Sequence, residues 1–441
     1  MGMIKMIQGK LNSNILYNKY DIQRIKELPV RTGHPARDDF ERDYSRVVHS
    51  AAFRRLQSKT QVIGVGEGDF HRTRLTHSME VAQIARGIVL SLNAKSVVLN
   101  KEYKQIDSSL IEAAALAHDF GHPPFGHQGE RALNEMMFKK DKSGFEGNAQ
   151  TLRILTRLER GVGLNLTRAT LLAILKYPIR FDEAVNENRY IDFSNFTPPK
   201  SNIYPEDSEI FDWLLLPFNK EEKELYLTLK EKVDREHRQT CHKTLECTVI
   251  ELADDIAYAT HDLEDAMRLD FIKIEEVISI LKKYNQIGGV EEVIQKFEKE
   301  AVGHISEKIK DATADLISIF ISNVKVSELD DVKHARLRYY AFHDDEIKDL
   351  IKAFKKLVYN NVIRLPRVQT IEWKGGHIIR EMFTAFFDET KLLPIEDQEL
   401  IQSGQNKARV VCDYIAGMTD SYALKMFSRL YEARESRLFD I

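Results

Sequence analysis

The sequence predicts a nearly all-α fold, a helical core with further helices packed around it towards the C-terminus. Three observations predict it. Apolar residues recur at three- and four-residue spacing through most of the 441 residues. Strand-like alternation is almost absent. Only a few stretches carry enough Pro or Gly to interrupt helices, and no Ser/Gly linker, low-complexity tract or internal repeat divides the chain. The expectation is one helical domain over 1–441, with a core over 40–270 and a peripheral helical region over 271–441.

Each element has its own warrant. RDYSRVVHSAAFRRLQSKTQV (42–62) places Val47, Ala51 and Leu56 on one stripe, and TRLTHSMEVAQIARGIVLSLN (73–93) does the same through Leu75, Met79, Ala82, Ile84 and Ile88. DSSLIEAAALAHD (107–119) opens on Asp107 or Ser108 as N-cap, with Glu112 close to capping-box range. Helical patterns follow at 147–159, 167–176 and 220–268, and a more charged amphipathic one at 271–321. RYIDFSNFTPPKSNIYPED (189–207), with three prolines, reads as a loop placed to fold over something. The Gly pair in IEWKGGHIIR (371–380) reads as a break between helical segments.

Composition narrows the function classes. Hydrophobic residues make up 43% and charged residues 30%, which is ample for a buried core. A net charge of −4 rules out a global basic field for nucleic acid, so a polyanionic partner needs a local Lys/Arg cluster. Three cysteines without framework spacing fit a reducing compartment. With no run of eighteen apolar residues and no apolar leader, a cytoplasmic protein without a membrane span is expected.

The chemistry concentrates in ALAHDFGHPPFGHQGERAL (115–133), with three histidines, one aspartate and one glutamate. Pro123 and Pro124 stop the preceding helix near His118–Phe120. Neighbouring helical residues diverge by about 100°, yet at a relaxed last turn His118 and Asp119 can converge on one ion. Imidazole with carboxylate suits a borderline or hard divalent metal. His77 lies in the apolar stripe of its helix and points inward. Asp254, Tyr258 and Asp262 fall at i, i+4 and i+8 in TVIELADDIAYATHDLED, one face of an otherwise buryable helix.

Taken in order, RLTHSMEV, HDFGHPPFGHQGE, FEGNAQ and ELADDIAY resemble the HD-domain phosphohydrolases, and within them the deoxyguanosine triphosphate triphosphohydrolase family. DYSRVVHSAAFRRLQSKTQV, LKYP (175–178) and DYIAGMTDSYA (413–423) agree. The resemblance spans most of 30–270 and a C-terminal patch, and leaves 271–400 unmatched. It implies an HD-domain helical bundle in which His77, His118, Asp119 and Asp254 correspond to a His-His-Asp-Asp metal quartet. Asp254 is preferred to Asp255 because the family's ligand precedes its tyrosine by four residues and its sugar-binding aspartate by eight. Tyr258 and Asp262 then take those roles. Gln61 and Val62 are placed near the nucleoside and Arg74 near phosphate.

The activity implied is metal-dependent hydrolysis of a dNTP, with dGTP and water giving deoxyguanosine and tripolyphosphate. Mn or Mg is the expected metal, and the donor set also admits Fe, Co, Ni or Zn. A proton must reach the leaving 5′-oxygen. His127 is the candidate acid/base, with Glu130 at i+3 as its partner and His122 positioned to touch a phosphate oxygen. Arg74 and Lys176 are nominated to neutralise phosphate charge. Related enzymes form homo-oligomers and some respond to allosteric nucleotides or single-stranded DNA, so these are the partners expected here.

Plainer readings stand beside these. His77 alone reads as a hydrogen-bonded core histidine, Tyr258 as packing, His122 as a turn cap, Gln61 and Val62 as a helix end, and Lys176 as a solvated lysine. His237, Cys241, His242 and Cys247 invite a second zinc site but lack the second clean pair a tetrahedral set needs. Lys407 and Arg409 either reach phosphate or sit in solvent. Other HD-superfamily enzymes, acting on cyclic dinucleotides or guanosine tetraphosphate, carry a GYP or ED element after the His-Asp pair, and this chain has neither. A catalytically silent nucleotide sensor is the non-enzymatic rival.

Overall fold

In a computed structural model the chain is described at residues 14–27, 37–61, 72–99, 104–190, 196–231, 233–234, 236–298 and 305–432. It is helical almost throughout. The principal helices are α1 (Asp39–Val48), α2 (Arg74–Lys95), α3 (Ser108–Ala117), α4 (Gly126–Asp141), α5 (Gly147–Arg153), α6 (Arg168–Ile174) and α7 (Leu245–Arg268). They are followed by α8 (Ile305–Ser322), α9 (Asp345–Val358), α10 (Pro366–Asp388), α11 (Lys407–Ala416) and α12 (Asp420–Tyr431). Among the described residues no helix is long and apolar enough to cross a membrane.

Side-chain caps set many of the helix starts. Asp38 and Glu41 form a capping box at α1, Thr73 caps α2, Thr244 caps α7, and Asp107 accepts the Leu110 N–H at 2.9 Å to cap α3. α3 is apolar nearly all round, from Leu110 to Ala117, and is accordingly packed on both α1 and α2. α7 crosses α2 and is covered on its other sides by α8 and α9. These helices share one core that includes Val81, Ile88, Leu110, Leu172, Ile256 and Phe354. A second, smaller core lies between α4 and the C-terminal helices, where Leu133 and Met137 meet Phe383, Val411 and Ile415. α4 therefore faces the second core while its first turn stays beside the end of α3.

Four expectations are corrected. The Gly pair does not break a helix: α10 runs through Gly375 and Gly376 because these positions let it approach α4. The 220–268 pattern is two helices, Lys220–Tyr226 and α7, and a Leu229–Thr240 bridge lies between them in sequence. Within 271–321 the chain forms Ile274–Leu281, Val290–Glu298 and α8, with Gly288 and Gly289 standing between the first two. Lys325–Glu328 and Tyr339–Phe342 pair as a small antiparallel ladder that the helical periodicity concealed.

Candidate active site

The end of α3, the first turn of α2 and the middle of α7 meet at one point. His118 is the C-cap of α3, and its Nδ1 lies 2.7 Å from the Ala115 carbonyl oxygen. A carbonyl only accepts, so Nδ1 carries the hydrogen and Nε2 presents a lone pair. That buried Nε2 has no hydrogen-bond partner, and it faces Asp119 Oδ1 at 3.3 Å and Asp254 Oδ1 at 3.8 Å. His77 Nε2 lies 3.1 Å from the same Asp254 oxygen. Ligand atoms of His77, His118 and Asp119 all fall within 4.8 Å of one another. Two imidazole nitrogens and two carboxylates converging here are a donor set that fits a divalent cation, and an orphaned, correctly tautomerised Nε2 is what such an ion would satisfy.

The electrostatics keep the carboxylates charged. Burial pushes Asp119 up, but His122, His118 and Arg74 outweigh it and hold its carboxyl well below the ordinary range. Asp254 is likewise lowered, with burial overcome by its hydrogen bond to His77 and the charges of His118 and Lys176. Asp255 points elsewhere and pairs with Lys355.

These residues open on a cavity of about 560 Å³. On one side its wall is basic: Arg74, Lys176 and Lys200, with Tyr177 and Asn148 between them. Arg74 is buried, donates to Asp119 Oδ2 at 2.7 Å and keeps Nε free of any partner. Lys176 approaches Glu251 at 3.5 Å and Lys200 approaches Glu146 at 3.3 Å. Lys200, Tyr177 and Asn148 escaped sequence reasoning. The available signals were the Pro198–Pro199 step just before Lys200 in the 189–207 loop, and the neighbours of Lys176 in LKYP.

His127 occupies the second position of α4, with its side chain 69% exposed and Nδ1 3.3 Å from Glu130 Oε2. Glu130 is buried, and its other oxygen accepts the Gly147 N–H at 3.0 Å. Burial pushes Glu130 up, but Lys200 and the bonded His127 outweigh it and leave it ionised. His122 turns its Nδ1 towards Asp119 Oδ1 at 3.1 Å, and its ring lies 6.1 Å from that of His127. It thus faces both groups.

Tyr258 and Gln61 line the cavity, and Gln61 Oε1 is buried without a partner. Val62 lies outside the described residues. Asp262 is buried with Oδ2 unpartnered, but it stands behind the residues that line the cavity. Part of the cavity lining is apolar and comes from the C-terminal region through Tyr359, Ile363, Val368 and Ile371, a contribution no motif announced.

Other sequence candidates resolve plainly. Arg409 is buried, bonded to Glu206 and to the Gly144 carbonyl, and stacked on Tyr204; Lys407 lies over Phe387. Neither lines the cavity, which excludes the phosphate alternative for both within this chain. His237 has both ring nitrogens engaged, by the Asn186 N–H and the Thr197 carbonyl, while Cys241 is exposed and Cys247 buried. These residues form no metal group among the described residues.

Comparison with known proteins agrees with this geometry. Residues 74–187 match the HD domain family and residues 341–429 the phosphohydrolase-associated domain. A deoxyguanosinetriphosphate triphosphohydrolase-like protein of Shewanella pealeana is 41% identical over 424 residues, covering 92% of this chain and 94% of that protein. A similarly named protein of Shewanella loihica is 41% identical over 448 residues (95% and 98%), and one from Deinococcus radiodurans, carrying the same name with the number 2, is 40% identical over 420 (92% and 95%). The span from α2 to the 189–207 loop that carries most of the site thus falls largely within the HD match, the apolar wall runs into the associated domain, and the chain belongs to the HD-domain family of deoxyguanosinetriphosphate triphosphohydrolase-like proteins.

Proposed function

We propose that this protein hydrolyses a deoxynucleoside triphosphate, with dGTP the expected substrate, to deoxynucleoside and tripolyphosphate. The observation that carries the reading is the orphaned His118 Nε2 among His77, Asp119 and Asp254, at the mouth of a cavity with a basic wall and a His–Glu pair. His77, His118, Asp119 and Asp254 would hold a divalent ion, Mn or Mg first, which would supply Lewis acidity to the reaction. Arg74, Lys176 and Lys200 bind and neutralise the triphosphate, which in phosphoryl transfer is the larger part of catalysis. Glu130, itself held by the Gly147 N–H, orients His127 through Nδ1, and His127 Nε2 delivers the proton to the departing 5′-oxygen. His122 steadies an oxygen of the α-phosphate. Tyr258 packs against the deoxyribose where a 2′-hydroxyl would sit, Asp262 accepts from the 3′-hydroxyl, and Gln61 flanks the nucleoside.

The overlap of curated names with this geometry favours dGTP, and the apolar wall of Ile363, Val368 and Ile371 suits a nucleobase. The test is product chromatography. Metal-stripped protein is supplied with Mn or Mg and each of the four dNTPs or GTP, with His127→Ala alongside. Deoxynucleoside plus tripolyphosphate, lost in the variant, is the expected result. Orthophosphate or pyrophosphate as product overturns the proposed scissile bond, and no turnover with mixed nucleotides present favours a sensing role.

A further inference from the structure

Three ties run from the C-terminal helices to one turn beside the metal cluster. Asp420, the first residue of α12, accepts the Phe125 N–H at Oδ1 (3.1 Å) and the Thr60 N–H at Oδ2 (2.9 Å). Lys59, itself buried, donates to the carbonyls of His122 and of Ala416 at the end of α11. Gly375, inside α10, lies so close to Phe125 that a Cβ there would sit 2.4 Å from the Phe125 Cβ.

The turn they hold is an unusual one. Phe125 has φ 63° and Gly126 φ 57°, so the N-cap and the first residue of α4 are both left-handed. A non-glycine residue keeps that conformation only where its surroundings over-determine it. His127 follows two residues after Phe125, and Gln61 one residue after Thr60. One carboxylate therefore pins the backbone on two sides of the same cavity. The His127 side chain is largely exposed, so its place relative to His118 and Asp119 is set by the backbone that carries it.

We propose that Asp420 is a positioning residue: its carboxylate fixes the Phe125–Gly126 turn and with it the place of His127, so that the C-terminal helices complete the site. The inference rests on the acid/base role assigned to His127 above.

The test uses the full chain loaded with Mn²⁺, as Asp420→Ala and Asp420→Asn. Asn retains one acceptor oxygen and loses one of the two ties, which keeps a milder variant in hand if Ala impairs folding. A displacement near 1 Å of a reacting group costs about 10²-fold, so kcat is expected to fall by about that factor in Ala and by less in Asn. KM for the dNTP and Mn²⁺ affinity stay within about twofold. In a His127→Ala background Asp420→Ala adds little, because it acts through the group already removed. A fully additive loss, or one carried by KM or by Mn²⁺ affinity, overturns the proposal. Amide hydrogen exchange reads the tether without substrate: residues 122–130 exchange about tenfold faster in the variants while α2 and α3 are unchanged. If wild type releases no tripolyphosphate, the functional reading fails and exchange alone decides. Faster exchange then upholds the tether and unchanged exchange overturns it.

Discussion

Gly121→Ala is the substitution that best separates this site from a generic helical core. Gly121 follows Asp119 by two residues, and its N–H donates to Thr151 Oγ1 at 2.9 Å. A Cβ at this position would sit 2.0 Å from the Gly147 carbonyl oxygen and 2.3 Å from the Thr151 nitrogen. Ordinary carbon–oxygen contact is about 3.3 Å, so α5 and the turn must separate by more than 1 Å. Backbone on both sides cannot swing away as a side chain would, which puts the cost at the upper end of overpacking, about 3 kcal/mol. Spread over the unfolding entropy of 441 residues, that is a fall in Tm of about 3 °C. The shift also has a defined path into the chemistry. Gly147 carries the N–H that holds Glu130, and the Thr151 hydroxyl bonds the His118 carbonyl, so moving α5 disturbs both the acid/base pair and the metal pair. Turnover is expected to fall about 10²-fold. The assay is differential scanning calorimetry with steady-state kinetics on the same preparation, using Gly288→Ala as control because nothing lies within 4 Å of a Cβ there. Wild-type Tm together with wild-type turnover in Gly121→Ala would refute the reasoning.

Three other predictions follow from the same geometry. Asp119→Ala is expected to abolish Mn²⁺ binding in titration calorimetry and to destabilise the apo-protein by about 3 kcal/mol, because it strands buried Arg74; Asp119→Asn loses the metal with a smaller stability cost, and equal stability losses in the two variants would count against the Arg74 argument. Lys200→Gln is expected to raise KM for the triphosphate about tenfold or more, the worth of one charge-assisted contact, with little change in the inhibition constant of a competing deoxynucleoside monophosphate. Burial pushes the Asp262 carboxyl up to about 7 against the pull of His77 and Arg72. A raised acid contributes stability below its unfolded value near 4 and loses it as pH rises through 7, so metal-free Asp262→Asn should lose less Tm than wild type between pH 5 and 8; parallel curves would reject the assignment.

How much of this was legible in the sequence depends on where the signal sat. The α3 terminus was readable because Pro123 and Pro124 stop the helix, and its N-cap was narrowed to Asp107 or Ser108, of which the structure uses Asp107. His77, His118, Asp119 and Asp254 could be named from ordered motifs, since each lies in a short window whose neighbours are themselves constrained. The apolar wall could not. Ile363, Val368 and Ile371 are apolar residues on helical spacing, and nothing local distinguishes a residue facing a cavity from one facing a core. Gly375 misled for a related reason: glycine in a helix signals either a break or a close approach, and only the Phe125 side chain, 250 positions away in sequence, decides which.

The same distinction explains why the C-terminal region reads as peripheral in sequence and central in structure. A peripheral helix would contribute packing alone, and its removal would cost stability without touching chemistry. Here α10 and α11 pack on α4, α12 packs on α10, and α4 delivers His127 and Glu130 with its first turn. The first core anchors the proposed metal ligands through α2, α3 and α7, while the second anchors the proposed acid/base pair through α4. Catalysis on the proposed reading needs both sets within a few ångströms of one phosphorus. The polar ties between the two cores, Asp420 to Phe125 and Thr60, Lys59 to His122 and Ala416, and Asp413 to Gln150 and Arg153, are therefore where that distance is held. Apolar contact between helices slides with little change in energy, whereas a carboxylate bonded to two backbone N–H groups has one geometry.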